Sequence, residues 1–63
     1  MEQGVIHSAL AEGTGRIKPG AGGDLVFFTD AEFNLPWSQA TVGRPVRFTR
    51  APGTTMATSV VAQ

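Results

Sequence analysis

The side chains that could perform chemistry in this sequence are few and lie far apart. His7 is the only histidine and there is no cysteine, so the usual ligand set of a zinc site and the usual partners of a catalytic triad are missing. Asp24, Asp30 and Glu32 could form an acid and base pair, but acidic residues beside turns are routinely turn formers. We therefore expect no enzymatic activity, no metal and no cofactor.

A glycine-rich stretch from Gly20 to Gly23 is the other feature that could bind a ligand, in this case a phosphate. A nucleotide-binding loop also needs a lysine, a Ser or Thr and a helix that begins directly after it. None of these follows Gly23. We interpret the stretch as the connection of a β-hairpin.

The composition predicts one small soluble domain that covers residues 1–63. Hydrophobic residues make up 41% and charged residues 16%, which is too apolar for a disordered tail. The longest apolar run, Leu25–Phe28, is far too short to cross a membrane. The first twenty residues lack a basic start followed by an apolar stretch, and the chain has no cysteine, so we expect a cytoplasmic protein. We also expect no membrane partner, and we favour a monomer.

The charges cancel overall but are unevenly distributed. Residues 1–32 contain five acidic and two basic side chains, a net charge of −3, whereas residues 33–63 contain three arginines and no acid, a net charge of +3. Nucleic-acid-binding domains usually have a clear basic excess. The asymmetry is either ordinary solvated charge or a basic edge of the fold.

Short alternating segments, separated by Gly, Pro and Asp clusters at intervals of about ten residues, predict an all-β protein. The expected strands are Val5–Leu10, Thr14–Lys18, Asp24–Thr29, Pro45–Arg50 and Met56–Ala62. A long irregular loop, with one short helical turn, should join the third strand to the fourth. This arrangement favours a five-stranded antiparallel OB-type barrel, although an SH3-like barrel has a similar strand count. The expected core residues are Ile6, Ile17, Leu25, Phe27, Val46, Phe48 and Val60.

The order of several short motifs resembles the bacterial cold-shock domain. The motifs are Gly4-Val-Ile6, Glu12-Gly-Thr-Gly-Arg-Ile17, Gly22-Gly-Asp-Leu-Val-Phe-Phe28, Thr41-Val-Gly-Arg-Pro-Val-Arg-Phe48 and Met56-Ala-Thr-Ser-Val60. The similarity extends over nearly the whole chain. It implies an OB fold that binds single-stranded RNA or DNA, because members of that family stack bases on exposed aromatic rings and bind phosphates with lysines.

Most of those rings are replaced in this chain. Ser8 and Ala9 stand in place of a first-strand Trp-Phe pair, Thr14 and Arg16 replace two rings, and Val26 replaces another. Phe28 occupies the position of a stacking histidine. The resemblance therefore implies a nucleic-acid interface made of His7, Arg16, Lys18, Phe28 and Trp37.

Two functions follow from this pattern. The first is weakened or altered binding of single-stranded RNA or DNA, with a possible regulatory role in transcription or translation. The second is a protein-interaction module on a barrel that has lost nucleic-acid binding, with Ser8, Thr14 and Val26 on the docking face. Trp37 either covers an open end of the barrel or is an exposed anchor, and Arg44 and Arg47 are expected to be solvated.

Overall fold

Five β-strands and two short 3-10 helices make up the computed structural model, which describes all residues from 1 to 63. The strands are β1 (Glu2–Ala9), β2 (Thr14–Pro19), β3 (Val26–Thr29), β4 (Pro45–Arg50) and β5 (Ala57–Ala62). All five expected strands are present, with ends shifted by three residues at most. The structure contains no helix whose length and hydropathy would allow it to cross a membrane.

The strands form one antiparallel sheet in the order β3-β2-β1-β4-β5. The sheet curls so that its two edge strands meet, and a parallel bridge joins Phe27 of β3 to Met56, the residue before β5. The Phe27 amide donates a hydrogen bond of 2.7 Å to the Thr55 carbonyl at this junction. The all-β class and the OB-type barrel are confirmed.

The long connection from β3 to β4 covers one end of the barrel. It contains two 3-10 helices, Asp30–Glu32 and Trp37–Gln39, rather than the single turn expected. Asn34 fastens it to β5: its amide donates to the Val60 carbonyl at 3.0 Å, and its Oδ1 accepts from the Ala62 amide at 3.0 Å. The loop is therefore held by hydrogen bonds to the barrel.

The core is entirely apolar, and no polar or charged residue is buried. It consists of Ile6, Ile17, Val26, Phe28, Phe33, Ala40, Val46, Phe48, Ala57 and Val60. Five expected core residues are confirmed, namely Ile6, Ile17, Val46, Phe48 and Val60.

The expected facing of β3 is wrong by one residue. Val26 and Phe28 have no exposed surface, whereas Phe27 is 40% exposed and Leu25 is only half-buried. The strand register explains the difference, because cross-strand partners share one side of a sheet. Val26 lies opposite the buried Ile17, so its neighbour Phe27 must point outward.

Candidate nucleic-acid interface

Strands β1, β2 and β3 present one continuous surface to solvent, which we call the outer face. Three cross-strand pairs organise it: Val5 with Lys18, Ser8 with Arg16, and Arg16 with Phe27. The outer face consists of Gln3, Val5, His7, Ser8, Thr14, Arg16, Lys18, Phe27 and Thr29. It therefore combines one aromatic ring with two permanent cations and a histidine.

A β-bulge in β1 brings two adjacent side chains to the outer face. Ile6 pairs with Ile17 and Ser8 pairs with Arg16, so His7 is the additional residue of β1. Ile6 is buried and Ala9 packs against the core, which leaves His7 and Ser8 together on the outside. Bulges commonly redirect side chains next to functional sites. This bulge places His7 next to the pair formed by Ser8 and Arg16.

Phe27 is the most exposed aromatic residue of the chain; Phe28, Phe33 and Phe48 are buried and Trp37 is half-buried. Phe27 lies opposite Arg16 on one side and is bridged to Met56 on the other. Met56 is 39% exposed, and bridge partners point to the same side of a sheet. Phe27 thus stands on the outside of the barrel with Arg16 and Met56 as its cross-strand neighbours, and part of its ring is open to a flat ligand.

A hydrogen bond fixes the guanidinium of Arg16. Its Nε donates to Ser8 Oγ at 3.1 Å, and both residues are partly buried. Nη1 and Nη2 of Arg16 have no hydrogen-bond partner in the protein, and neither atom is buried. The four N–H groups on these two nitrogens therefore remain free to contact a ligand on the outer face.

Phe28, the expected stacking ring, is not part of this surface. Its side chain has no exposed area, and its ring centroid lies 6.0 Å from that of Phe33 and 5.5 Å from that of Trp37. Val26 is likewise buried, so it cannot belong to a docking face. Both expectations fail for the same reason, which is the one-residue error in the facing of β3.

Trp37 covers the end of the barrel. Its ring packs edge-on against Phe33, at a centroid distance of 6.2 Å and an interplanar angle of 86°. Its Nε1 donates a hydrogen bond of 2.6 Å to the carbonyl of Leu10, the residue after β1. Of the two interpretations of this residue, the structure supports the covering role, and Trp37 is not a free aromatic anchor.

The C-terminal arginines do not form a basic edge. Arg50 makes two hydrogen bonds to the Glu2 carboxylate, at 2.8 and 2.9 Å, and this is the one ion pair in the structure. The hydrogen bond from Arg50 lowers the pKa of Glu2 below its ordinary value, and the same bond raises the pKa of Arg50. This ion pair joins an acidic residue of the N-terminal half to a basic residue of the C-terminal half, so their charges offset each other.

The two remaining arginines differ from each other. Arg47 is exposed on β4, as expected for a solvated charge. Arg44 is only partly exposed, which corrects that expectation: its Nη1 lies 3.4 Å from the Gln39 carbonyl, and its Nε is buried without a partner. Only Arg16, Lys18 and His7 therefore contribute basic groups to the outer face.

The acidic candidates are dispersed. Asp24 and Asp30 are exposed, Glu32 is partly exposed, and no three His, Asp or Glu residues lie close enough together to hold a metal ion. Asp30 instead has a structural contact, since its amide donates to the Gly13 carbonyl at 2.8 Å.

Phe27 on the outer face, and its bridge partner Met56, are the exposed residues of the candidate site that sequence reasoning missed. The run from Leu25 to Phe28 is apolar at every position, so alternation alone cannot say which residues point inward. Gly15 was the one sequence signal for which residues of β3 point inward. A residue without a side chain in β2 leaves room for a large ring opposite it. That ring is Phe28, and Phe27 then faces outward.

Comparison with models of known protein families found no match for this chain. Comparison with curated protein sequences likewise found no similar protein.

Proposed function

We propose that this barrel binds single-stranded RNA or DNA on its outer face, as a divergent relative of cold-shock domains. The observation that carries the proposal is the exposed ring of Phe27, 40% accessible and paired across strands with Arg16. Stacking on an aromatic ring accepts any base, because every base has a π-face. The role is binding in the cytoplasm, without catalysis and without a cofactor.

The interface should be weak because it has one ring and few cations. A stacked base contributes about 1 to 3 kcal/mol, so a single platform supports affinity in the micromolar range or weaker. Arg16, Lys18 and His7 are the basic groups of this face, which limits the number of phosphate contacts to three at most. The expected slope of log K against log salt is about −1 to −2, at roughly 0.7 per phosphate for single strands.

An amide-shift titration with an oligothymidine heptamer and a mixed RNA heptamer, at low and moderate salt, tests the proposal. Shifts should concentrate on β1, β2 and β3 and should weaken modestly with salt. The absence of shifts at low salt and millimolar protein would overturn the proposal. A nanomolar, steeply salt-dependent interaction would show instead that other arginines carry the binding.

Adding a ring gives a second test that does not depend on losing a weak signal. Thr14 is exposed on the outer face, so Thr14→Phe should strengthen heptamer binding by supplying another platform. Thr49→Phe is the matched control, because Thr49 is an exposed threonine on β4, outside the outer face. Equal gains from both variants would mean that added hydrophobicity, and not the outer face, causes the effect.

A protein-interaction role is the second candidate, and one observation favours it. Val5, Phe27 and Met56 are each about two-fifths exposed at 39, 40 and 39%, which gives the barrel exposed apolar side chains beside its cations. Such groups also suit a protein partner. That role is supported if heptamers produce no shifts while a purified partner protein shifts the amides of these residues.

A further inference from the structure

Ser8 and Arg16 form a hydrogen bond on the outer face that plays no part in base stacking. Arg16 is a residue of β2 with Ser8 opposite it on β1 and Phe27 opposite it on β3. Its Nε donates to Ser8 Oγ at 3.1 Å, which restrains a side chain that otherwise has many rotamers. The guanidinium is therefore held in place before any ligand binds.

Restraint through Nε leaves the other edge of the guanidinium for recognition. Nη1 and Nη2 are unpartnered and accessible, and a guanidinium presents such donors in a planar fork. A fork of this kind matches two neighbouring acceptors on a ligand. In nucleic acids the two main matches are the O6 and N7 atoms of guanine and the oxygens of a phosphate.

Because Arg16 is the cross-strand neighbour of Phe27, its guanidinium is better placed to contact a base than a backbone phosphate. Side chains directly opposite each other in an antiparallel pair have Cβ atoms about 4.5 to 5.5 Å apart. Nε of Arg16 is held at Ser8, across β2 from Phe27, so Nη1 and Nη2 can meet a base that extends from Phe27 over β2, or the base next to it. Ordering the guanidinium in advance also lowers the entropic cost of a geometrically demanding contact.

We infer that Ser8 positions Arg16 to read guanine at or beside the base stacked on Phe27, so that the protein prefers single strands containing guanine. The inference rests on the proposed function and specifies its ligand. In it, Arg16 contacts the base, whereas Ser8 acts only through Arg16. The bidentate contact predicts about tenfold tighter binding of a guanine-containing strand.

Heptamers that differ at one position measure this preference. The probes are oligothymidine, the same strand with a central guanine, and the same strand with a central 7-deazaguanine, which lacks the N7 acceptor. The guanine heptamer should bind about tenfold more tightly than oligothymidine, and the 7-deaza substitution should remove most of the gain. Arg16→Ala should remove the difference between strands.

The role of Ser8 is tested by the ratio of the two affinities. Ser8→Ala should reduce the preference for guanine while leaving oligothymidine binding nearly unchanged, and Ser8→Thr, which keeps the hydroxyl, should restore the preference. A general loss of folding would instead weaken both strands together. Arg47→Ala is the control for charge, because it removes an exposed arginine from another strand.

The outcomes separate the inference from the proposed function. If all heptamers bind equally and Arg16→Ala weakens them all, Arg16 binds phosphate and the inference is overturned, while the proposed function stands. A full guanine preference in Ser8→Ala would overturn the positioning role. Failure of every heptamer to bind would overturn both the inference and the proposed function.

Discussion

Gly15 lies directly opposite Phe28 in the pairing of β2 with β3, and the phenyl ring occupies the space that a side chain at Gly15 would need. A Cβ atom placed on Gly15 would be 2.6 Å from Phe28 Cε1 and 2.9 Å from the Ser8 carbonyl oxygen. Carbon atoms in van der Waals contact are about 3.5 to 4.0 Å apart. The missing side chain therefore allows Phe28 to point inward, which directs Phe27 outward.

Gly15→Ala should destabilise the fold by about 1 to 3 kcal/mol, because the added methyl group forces the ring or the strand to move. The measurement is the urea midpoint of unfolding. Gly20→Ala is the milder control, since its nearest atom would be the Gln3 carbonyl oxygen at 3.3 Å. An unchanged midpoint for Gly15→Ala would contradict the assigned packing of Phe28.

Adjacent phenylalanines in β3 should respond very differently to truncation. Phe28→Ala removes a fully buried ring and should cost about 3 to 5 kcal/mol, a large part of what a domain of this size possesses. Phe27→Ala should cost only about 1 kcal/mol, because much of that ring is already exposed. If Phe28→Ala itself fails to fold, Phe28→Leu provides the comparison. Equal losses at the two positions would mean that the facing of β3 is wrong.

The folded state should become less stable in acid, because protonation of the Glu2 carboxylate removes its ion pair with Arg50. The folded state lowers the pKa of the Glu2 carboxyl, chiefly through the hydrogen bond from Arg50. The unfolded chain therefore binds more protons in this range, and the contribution is present above the ordinary pKa of 4.5 and lost as pH falls through the folded value.

Urea midpoints measured from about pH 6 down to about pH 3 test this dependence. Glu2→Gln and Arg50→Gln should each flatten the profile, and the double variant should be no flatter than either one. The effect should shrink in high salt, because both groups are at the surface. Profiles that stay parallel to the wild type would exclude the pair as a source of acid sensitivity.

Trp37→Phe should destabilise the protein modestly, by about 0.5 to 1.5 kcal/mol, through loss of the hydrogen bond from Nε1 to the Leu10 carbonyl. The carbonyl keeps one donor, the Gly13 amide at 3.0 Å, which limits the cost. Trp37→Ala should cost clearly more, because the packing on Phe28 and Phe33 is lost as well. A thermal unfolding series compares the two. Trp37→Ala without any loss would show that Trp37 does not cover the core.

Most of the barrel could be predicted from the sequence because its short alternating segments are separated by turn residues, and in two strands the alternation fixes which residues point inward. In β2 and β4, polar residues or proline flank the buried Ile17, Val46 and Phe48, so the inward face is unambiguous. In β3 no polar residue marks the outer side, and the facing depends on how the strand pairs with β2. Gly15 in β2 is the one sequence signal for this facing, and its meaning depends on its pairing with Phe28.

The sequence predicted the basic residues of the candidate site, Arg16 and Lys18, but not its aromatic residue, Phe27. Arg16 and Lys18 alternate with Ile17, so their outward orientation follows from the buried isoleucine between them. The bulge at His7 and the bridge from Phe27 to Met56 have no local signature in the sequence. Both depend on contacts between strands, which a linear pattern does not contain.

Heptamer affinities of three variants of Phe27 test the central claim most directly. If an exposed ring at this position stacks a base, Phe27→Ala and Phe27→Leu should each weaken binding by about 1 to 3 kcal/mol, while Phe27→Trp should retain or strengthen it. Leucine is the matched control, because it keeps an apolar side chain without a π-face. Affinities that are the same in all three variants and the wild type would contradict the claim that Phe27 carries nucleic-acid binding.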